Sequence, residues 1–165
     1  MSLHHPPSCP CTLHPSHPSL SQSLDELDFE RSIHGAAASG DLNRTQRLLA
    51  SSPTHLIHTR DTSGLLPIHY AARNGHAHLI SLLADEFTLT ERPTSGSGLP
   101  ALHRAVLSGS VATVKAVLDA CLTGELRSRV VKELVDGEGR SAVQLARQQA
   151  STGTSEIVEL LSKWT

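Results

Sequence analysis

The chain has 165 residues, a formal charge of −2, 38% hydrophobic residues and only one Trp, one Tyr and two Phe. That length suits one domain held by aliphatic packing, and the charge balance leaves no footprint for nucleic acid or an anionic membrane. No apolar run approaches a membrane span, no basic-then-apolar leader opens the chain, and three cysteines make no disulfide framework, so a reduced compartment, cytoplasmic and/or nuclear, is expected.

Residues 1–22 are rich in Pro, Ser and His without apolar periodicity, the composition of a disordered tail. His4, His5, Cys9, Cys11, His14 and His17 carry donor atoms suited to zinc or copper. The Cys-x-Cys-x2-His-x2-His spacing is tighter than zinc-finger spacing and the prolines resist a compact fold around an ion, so no metal is expected. Ser23 followed by Glu26 is a capping box that predicts a helix from Leu24, with Leu24, Leu27 and Ile33 covering the N-terminal end of the domain.

Residues 23–165 read as one domain of four units, approximately 29–60, 61–94, 95–135 and 136–165. The first runs through Ile33-His34-Gly35-Ala36-Ala37-Ala38-Ser39-Gly40-Asp41, then a helix with Leu42, Leu48 and Leu49 expected inward. In the second, Asp61-Thr62-Ser63-Gly64 is turn chemistry, Pro67 suits the first turn of a helix, and Ile68, Ala71 and Ala72 share one stripe. Gly75 ends that helix, as a left-handed position favours Gly, and Leu79, Ile80, Leu82 and Leu83 face inward from a second helix. A non-helical loop is expected after Ala84, because Thr88, Thr90, Pro93, Thr94 and Gly96 disfavour helix. The third unit repeats the second at an offset of 34 residues, His103 on His69 and Gly109 on Gly75, followed by Val111, Val114, Val117 and Leu118. Residues 122–135 then lengthen the link, with Leu126, Val130 and Leu134 on one face. The last unit is degraded, holding Ala142, Gln144 and Leu145, then Ile157, Val158, Leu160 and Leu161, with residues 151–155 interrupting it.

A period in the low thirties marks a stacked array in which each unit buries its apolar face against the next. The run Leu66-Pro67-Ile68-His69-Tyr70-Ala71-Ala72-Arg73-Asn74-Gly75-His76 resembles the Thr-Pro-Leu-His-x-Ala-Ala-x-x-Gly-His signature of ankyrin repeats. The resemblance implies an all-α solenoid of helix-turn-helix units joined by β-hairpin-like loops, about four repeats with degenerate terminal caps. His69 and His103 match the motif His, which in that family bonds backbone groups near the repeat junction. Leu66 and Pro100 stand where the family has Thr, and Ala101, Ala142 and Gln144 depart at the Pro and His positions.

No nucleophile elbow and no phosphate-cradling loop is present, so no enzyme and no cofactor is expected. Arg127, Arg129 and Lys132, flanked by Glu125 and Glu133, read as a solvated helix face. The resemblance implies a monomeric adaptor that binds another protein along its turn tips and first helices. The positions that carry over are Thr62, Ser63, Leu65, Tyr70, Arg73, Asn74, Ser97, Leu99, Arg104, Leu107, Ser108, Glu138, Arg140 and Gln148. Leu65, Leu99 and Leu107 beside Tyr70 and two Arg suggest a contact patch, the alternative being that Leu65 and Leu99 only pack beneath their turns. Other readings are a metal-responsive protein working through the Cys/His tail, and an assembly chaperone or ubiquitin-pathway substrate receptor, the last resting on fold analogy.

Overall fold

The computed structural model describes residues 24–94, 97–149 and 155–164; the expectations for the tail, the Ser23 cap and the interruption at 151–154 lie outside them. Twelve α-helices appear among the described residues: α1 Leu24–Arg31, α2 Ile33–Ser39, α3 Leu42–Ser51, α4 Pro53–Ile57, α5 Pro67–Arg73, α6 Ala77–Leu83, α7 Glu86–Thr90, α8 Ala101–Leu107, α9 Val111–Ala120, α10 Gly124–Ser128, α11 Ala142–Gln149 and α12 Ser155–Ser162. A π-helical turn over Arg129–Glu133 continues α10.

Four helix pairs stack. α2, α5, α8 and α11 pack in succession as one layer, and α3, α6, α9 and α12 as a second layer behind it. Small side chains set the first layer: Ala36, Ala37, Ala71, Ala72, Ala101, Ala105, Ala142 and Ala146 are fully buried. Larger aliphatics, among them Leu79, Ile80, Leu83, Val114, Val117, Ile157 and Leu161, fill the space between the layers and seal successive pairs together. Each of the first three pairs turns on a glycine; Gly75 and Gly109 have φ of 79° and 70°, where a Cβ would crowd the backbone.

At the N-terminal end, α1 folds onto α2 at Gly35, where an added Cβ would meet the Phe29 carbonyl oxygen at 2.3 Å. Position 35 therefore holds the two helices together at a distance only Gly permits. Phe29 reaches across to Tyr70 on α5, with ring centroids 5.3 Å apart.

Three expectations are corrected. Leu42 is exposed, because it is the first residue after the Asp41 cap and lies on the outer side of α3; Leu49 is the buried leucine there. The segment after Ala84 is helical: Asp85 accepts from the Thr88 N–H while the Thr88 hydroxyl accepts from the Asp85 N–H, a reciprocal cap that starts α7. Arg127 is not a solvated-face residue. It donates to the Leu118 and Cys121 carbonyls and lies 4.5 Å over the Trp164 ring, tying the inserted helix to the end of the chain.

Candidate partner-binding groove

The turns are built by aspartates. Asp61 Oδ1 accepts from the Ser63 and Leu65 N–H groups at 2.8 Å, and Asp136 Oδ1 accepts from the Glu138 and Arg140 N–H groups at 2.9 Å. Each turn also closes a backbone pair, Asp61 with Leu65 and Asp136 with Arg140. The third turn is tied to the fourth by Gly137 N–H donating to the Ser97 carbonyl at 2.8 Å. Beneath the turns, the motif histidines bridge units. His34 Nε2 donates to the Thr59 and Leu65 carbonyls, and His103 Nε2 to the Arg140 carbonyl at 2.9 Å.

The second histidine is held differently. His69 Nδ1 accepts from the Leu66 N–H at 3.0 Å, and its Nε2 has no hydrogen-bond partner although the Glu91 carbonyl acts on the ring. Burial drives the His69 pKa down to about 3, assisted by the Arg104 charge, so the imidazole is neutral and structural. Burial likewise lowers that of His103. Position 100 is proline, which has no N–H to offer, and His103 Nδ1 is buried without a partner.

Between the second and third turns and the helices below them lies a groove of about 680 Å³. Ser63, Leu65, Ser97 and Leu99 form its turn side; Arg73, Arg104 and Leu107 form its helix side. The chain thus brings seven of the fourteen expected positions into one concavity. Leu107 is open, 40% exposed, whereas Leu65 is 9% exposed and Leu99 half-buried against the core, so those two pack beneath their turns and offer only an edge to the groove. Arg104 is 8% exposed and its Nε donates to the Leu99 carbonyl at 3.1 Å. Burial, then the neighbouring Arg73 charge, lowers its pKa from the ordinary guanidinium value.

The other seven positions lie outside the groove lining, and six have structural partners. Tyr70 donates to Asp61 Oδ2 and its ring meets Phe29 and His34; burial, then that bond, pushes its pKa up to about 12. Asn74 Nδ2 donates to the Ala38 carbonyl, joining the first two units, and the Ser108 hydroxyl donates to the Ala105 carbonyl. Arg140 pairs with Asp136 and Glu138 and donates to Gln148 Oε1, so the three fourth-unit positions form a network of their own. Thr62 is exposed at the turn tip.

A larger cleft of about 920 Å³ lies behind the array, against α6, α9 and α10, and sequence reasoning did not point to it. Its small floor, Ala77, Ser81, Ala116 and Ala120, is rimmed by Asp85, Glu86, Asp119, Glu125 and the 92% exposed Leu122. Two of those carboxylates are engaged: Asp85 by His58 and the Thr88 N–H, and Glu86 by Arg129 at 4.0 Å. Sequence reasoning also missed the double role of Asp61, whose signal was its recurrence as Asp136 three residues before a turn glycine.

Over residues 33–126 the sequence matches the family described as ankyrin repeats (3 copies). The match stops before α11, where Ala142 and Gln144 replace the motif Pro and His. Among curated proteins, the chain is 47% identical over 70 residues to ankyrin repeat domain-containing protein 39 of Bos taurus, covering 41% of this chain and 36% of that protein. It is 40% identical over 79 residues to the human protein of that name, covering 46% and 41%. It is 38% identical over 96 residues to human transient receptor potential cation channel subfamily A member 1, covering 58% of this chain and 8% of the channel. The chain spans less than half the length of each of these relatives.

Proposed function

The chain belongs to the ankyrin repeat family, and we propose that it is a non-catalytic, monomeric adaptor of the cytoplasm or nucleus that holds a segment of another protein in the groove between its second and third turns. The observation that carries this reading is the convergence of Ser63, Arg73, Arg104 and Leu107 from two successive units on one concavity. Ankyrin repeat domains in general serve as protein-interaction modules, and here the turn tips and first helices, the surfaces such modules present, enclose that space. The groove is favoured over the rear cleft because its helix side presents a largely buried Arg without an ion pair among the described residues, whereas two of the rear carboxylates already have side-chain partners, His58 and Arg129.

The test is photo-crosslinking in cells with a reactive side chain placed at residue 107 or, as comparison, at residue 81 on the rear cleft. The adaptor reading expects a discrete partner captured from position 107 and lost when Arg73→Glu is added, with the unfolding temperature unchanged. Capture from position 81 alone contradicts it.

A further inference from the structure

A largely buried Arg keeps its charge through acceptors, an anion, or those N–H groups that still reach water, because desolvation penalises the charge. Arg104 is 8% exposed, and its Nε is satisfied by the Leu99 carbonyl. Its two terminal nitrogens have no hydrogen bond or ion pair among the described residues, and neither is sealed from water at the groove surface. The carboxylate that acts on it, Asp61, is already taken: one oxygen accepts from two turn N–H groups and the other from Tyr70. At the sequence register of Asp61 and Asp136, three residues before the turn glycine, the third unit has the uncharged Ser95. Arg73, exposed at the end of α5, adds a second positive charge, and no Asp or Glu lines the groove among the described residues. Beside this cationic end, the open Leu107, with the edge of Leu99, gives an apolar wall.

Building on the groove reading above, we propose that the occupant is a protein segment carrying a Glu or Asp side chain next to an aliphatic one, the carboxylate meeting Arg104 and Arg73 and the aliphatic group meeting Leu107. With Nε engaged, the two terminal N–H groups of Arg104 remain as an end-on fork, which matches the two oxygens of one carboxylate. A phosphate would bring three acceptor oxygens and close to twice the charge against an apolar wall, and suits the site less well. The partner's acid completes an ion pair that this chain leaves half built at the groove surface.

The experiment selects an unmodified random-peptide library on the full chain, then measures the best peptide by titration calorimetry. Wild type is compared with Leu107→Asp, Arg73→Gln and Arg104→Gln. The peptide is compared with analogues in which each Glu or Asp becomes Gln or Asn, or is replaced by phosphoserine. Selected peptides are expected to share an acid beside Leu, Ile or Val. Neutralising that acid, or Arg104, weakens binding about ten- to a hundredfold. The two losses together are smaller than their sum, as for direct partners. Should Arg104→Gln fail to fold, Arg73→Gln and the neutralised peptide carry the same comparison. Groove-dependent peptides without an acid, or tighter binding of the phosphoserine analogue, overturn the carboxylate assignment and leave the groove reading standing. Peptides indifferent to Leu107→Asp, or no enriched peptide, overturn the groove reading itself.

Discussion

Replacing Pro100 by Thr stabilises the protein, although a proline is removed from a loop-to-helix junction. His103 Nε2 donates to the Arg140 carbonyl, which fixes Nδ1 as the bare acceptor of the ring. One unit earlier, the equivalent nitrogen of His69 receives the Leu66 N–H at 3.0 Å; at position 100 that donor is missing and Nδ1 is buried unpartnered. Supplying the N–H recovers about 1–3 kcal/mol of desolvation cost. Losing the proline ring frees the unfolded chain by about 0.4–1 kcal/mol. Residue 100 has φ −62° and ψ 167°, which Thr adopts readily, and Thr retains most of the buried volume. The net gain is about 1 kcal/mol, or a rise in unfolding temperature of about 2–4 °C for a chain of this size. Leu66→Thr is the matched comparison: the donor is already present and the leucine is fully buried, so the same new residue costs about 2 kcal/mol. Urea denaturation followed by circular dichroism reads both changes, and hydrogen exchange at residue 100 reads the new bond. A Pro100→Thr protein no more stable than wild type, or with a freely exchanging amide at 100, refutes the reasoning.

Acid should weaken the fold well before the carboxylates titrate. The folded His69 pKa, about 3, and the lowered His103 pKa lie below the unfolded value of 6.5, so the unfolded chain binds protons first as pH falls. Stability is full above about pH 6.5 and declines toward pH 3, with His69 alone contributing about 5 kcal/mol across that window; a urea midpoint constant from pH 7 to pH 5 contradicts this. Leu79→Ala, at a fully buried position between the layers, costs about 2–5 kcal/mol, whereas Leu82→Ala, half-buried on the same helix, costs about 1 kcal/mol; chemical denaturation orders the two. Asp136→Ala strips Arg140 and two turn N–H groups of a fully buried partner and costs about 3–5 kcal/mol, read by the same unfolding assay. The Cys121 thiol, buried and pushed up to about 11 by that burial, alkylates at neutral pH only at the rate of unfolding.

The repeat was legible because its signals are local. Pro67, the alanine stripe, Gly75 and the leucines of α6 each act within a few residues of themselves, and their recurrence at His103 and Gly109 implies stacking from the sequence alone. Signals that depend on reciprocity were not legible: Thr88 disfavours helix when read singly but caps α7 when paired with Asp85. The groove was legible as positions and not as environments. Tyr70 sits at the motif's variable position, yet α1, brought close at Gly35, lays Phe29 on its ring. Arg104 occupies the same position one repeat later and stays in the groove lining, where the Leu99 carbonyl holds its Nε and no aromatic ring among the described residues stacks on it. Leu65 and Leu99 were ambiguous in the sequence because a turn residue can be drawn inward by the hydrogen bonds that close its turn, as those to Asp61 do for Leu65.

Chemical-shift mapping of the isotope-labelled chain with a peptide selected from the random library separates the two concavities directly. Binding between the turns moves the signals of Leu65, Arg73, Leu99, Arg104 and Leu107. Shifts gathered instead at Ser81, Ala116, Ala120 and Leu122 place the occupant behind the array and contradict a groove formed by turns and first helices.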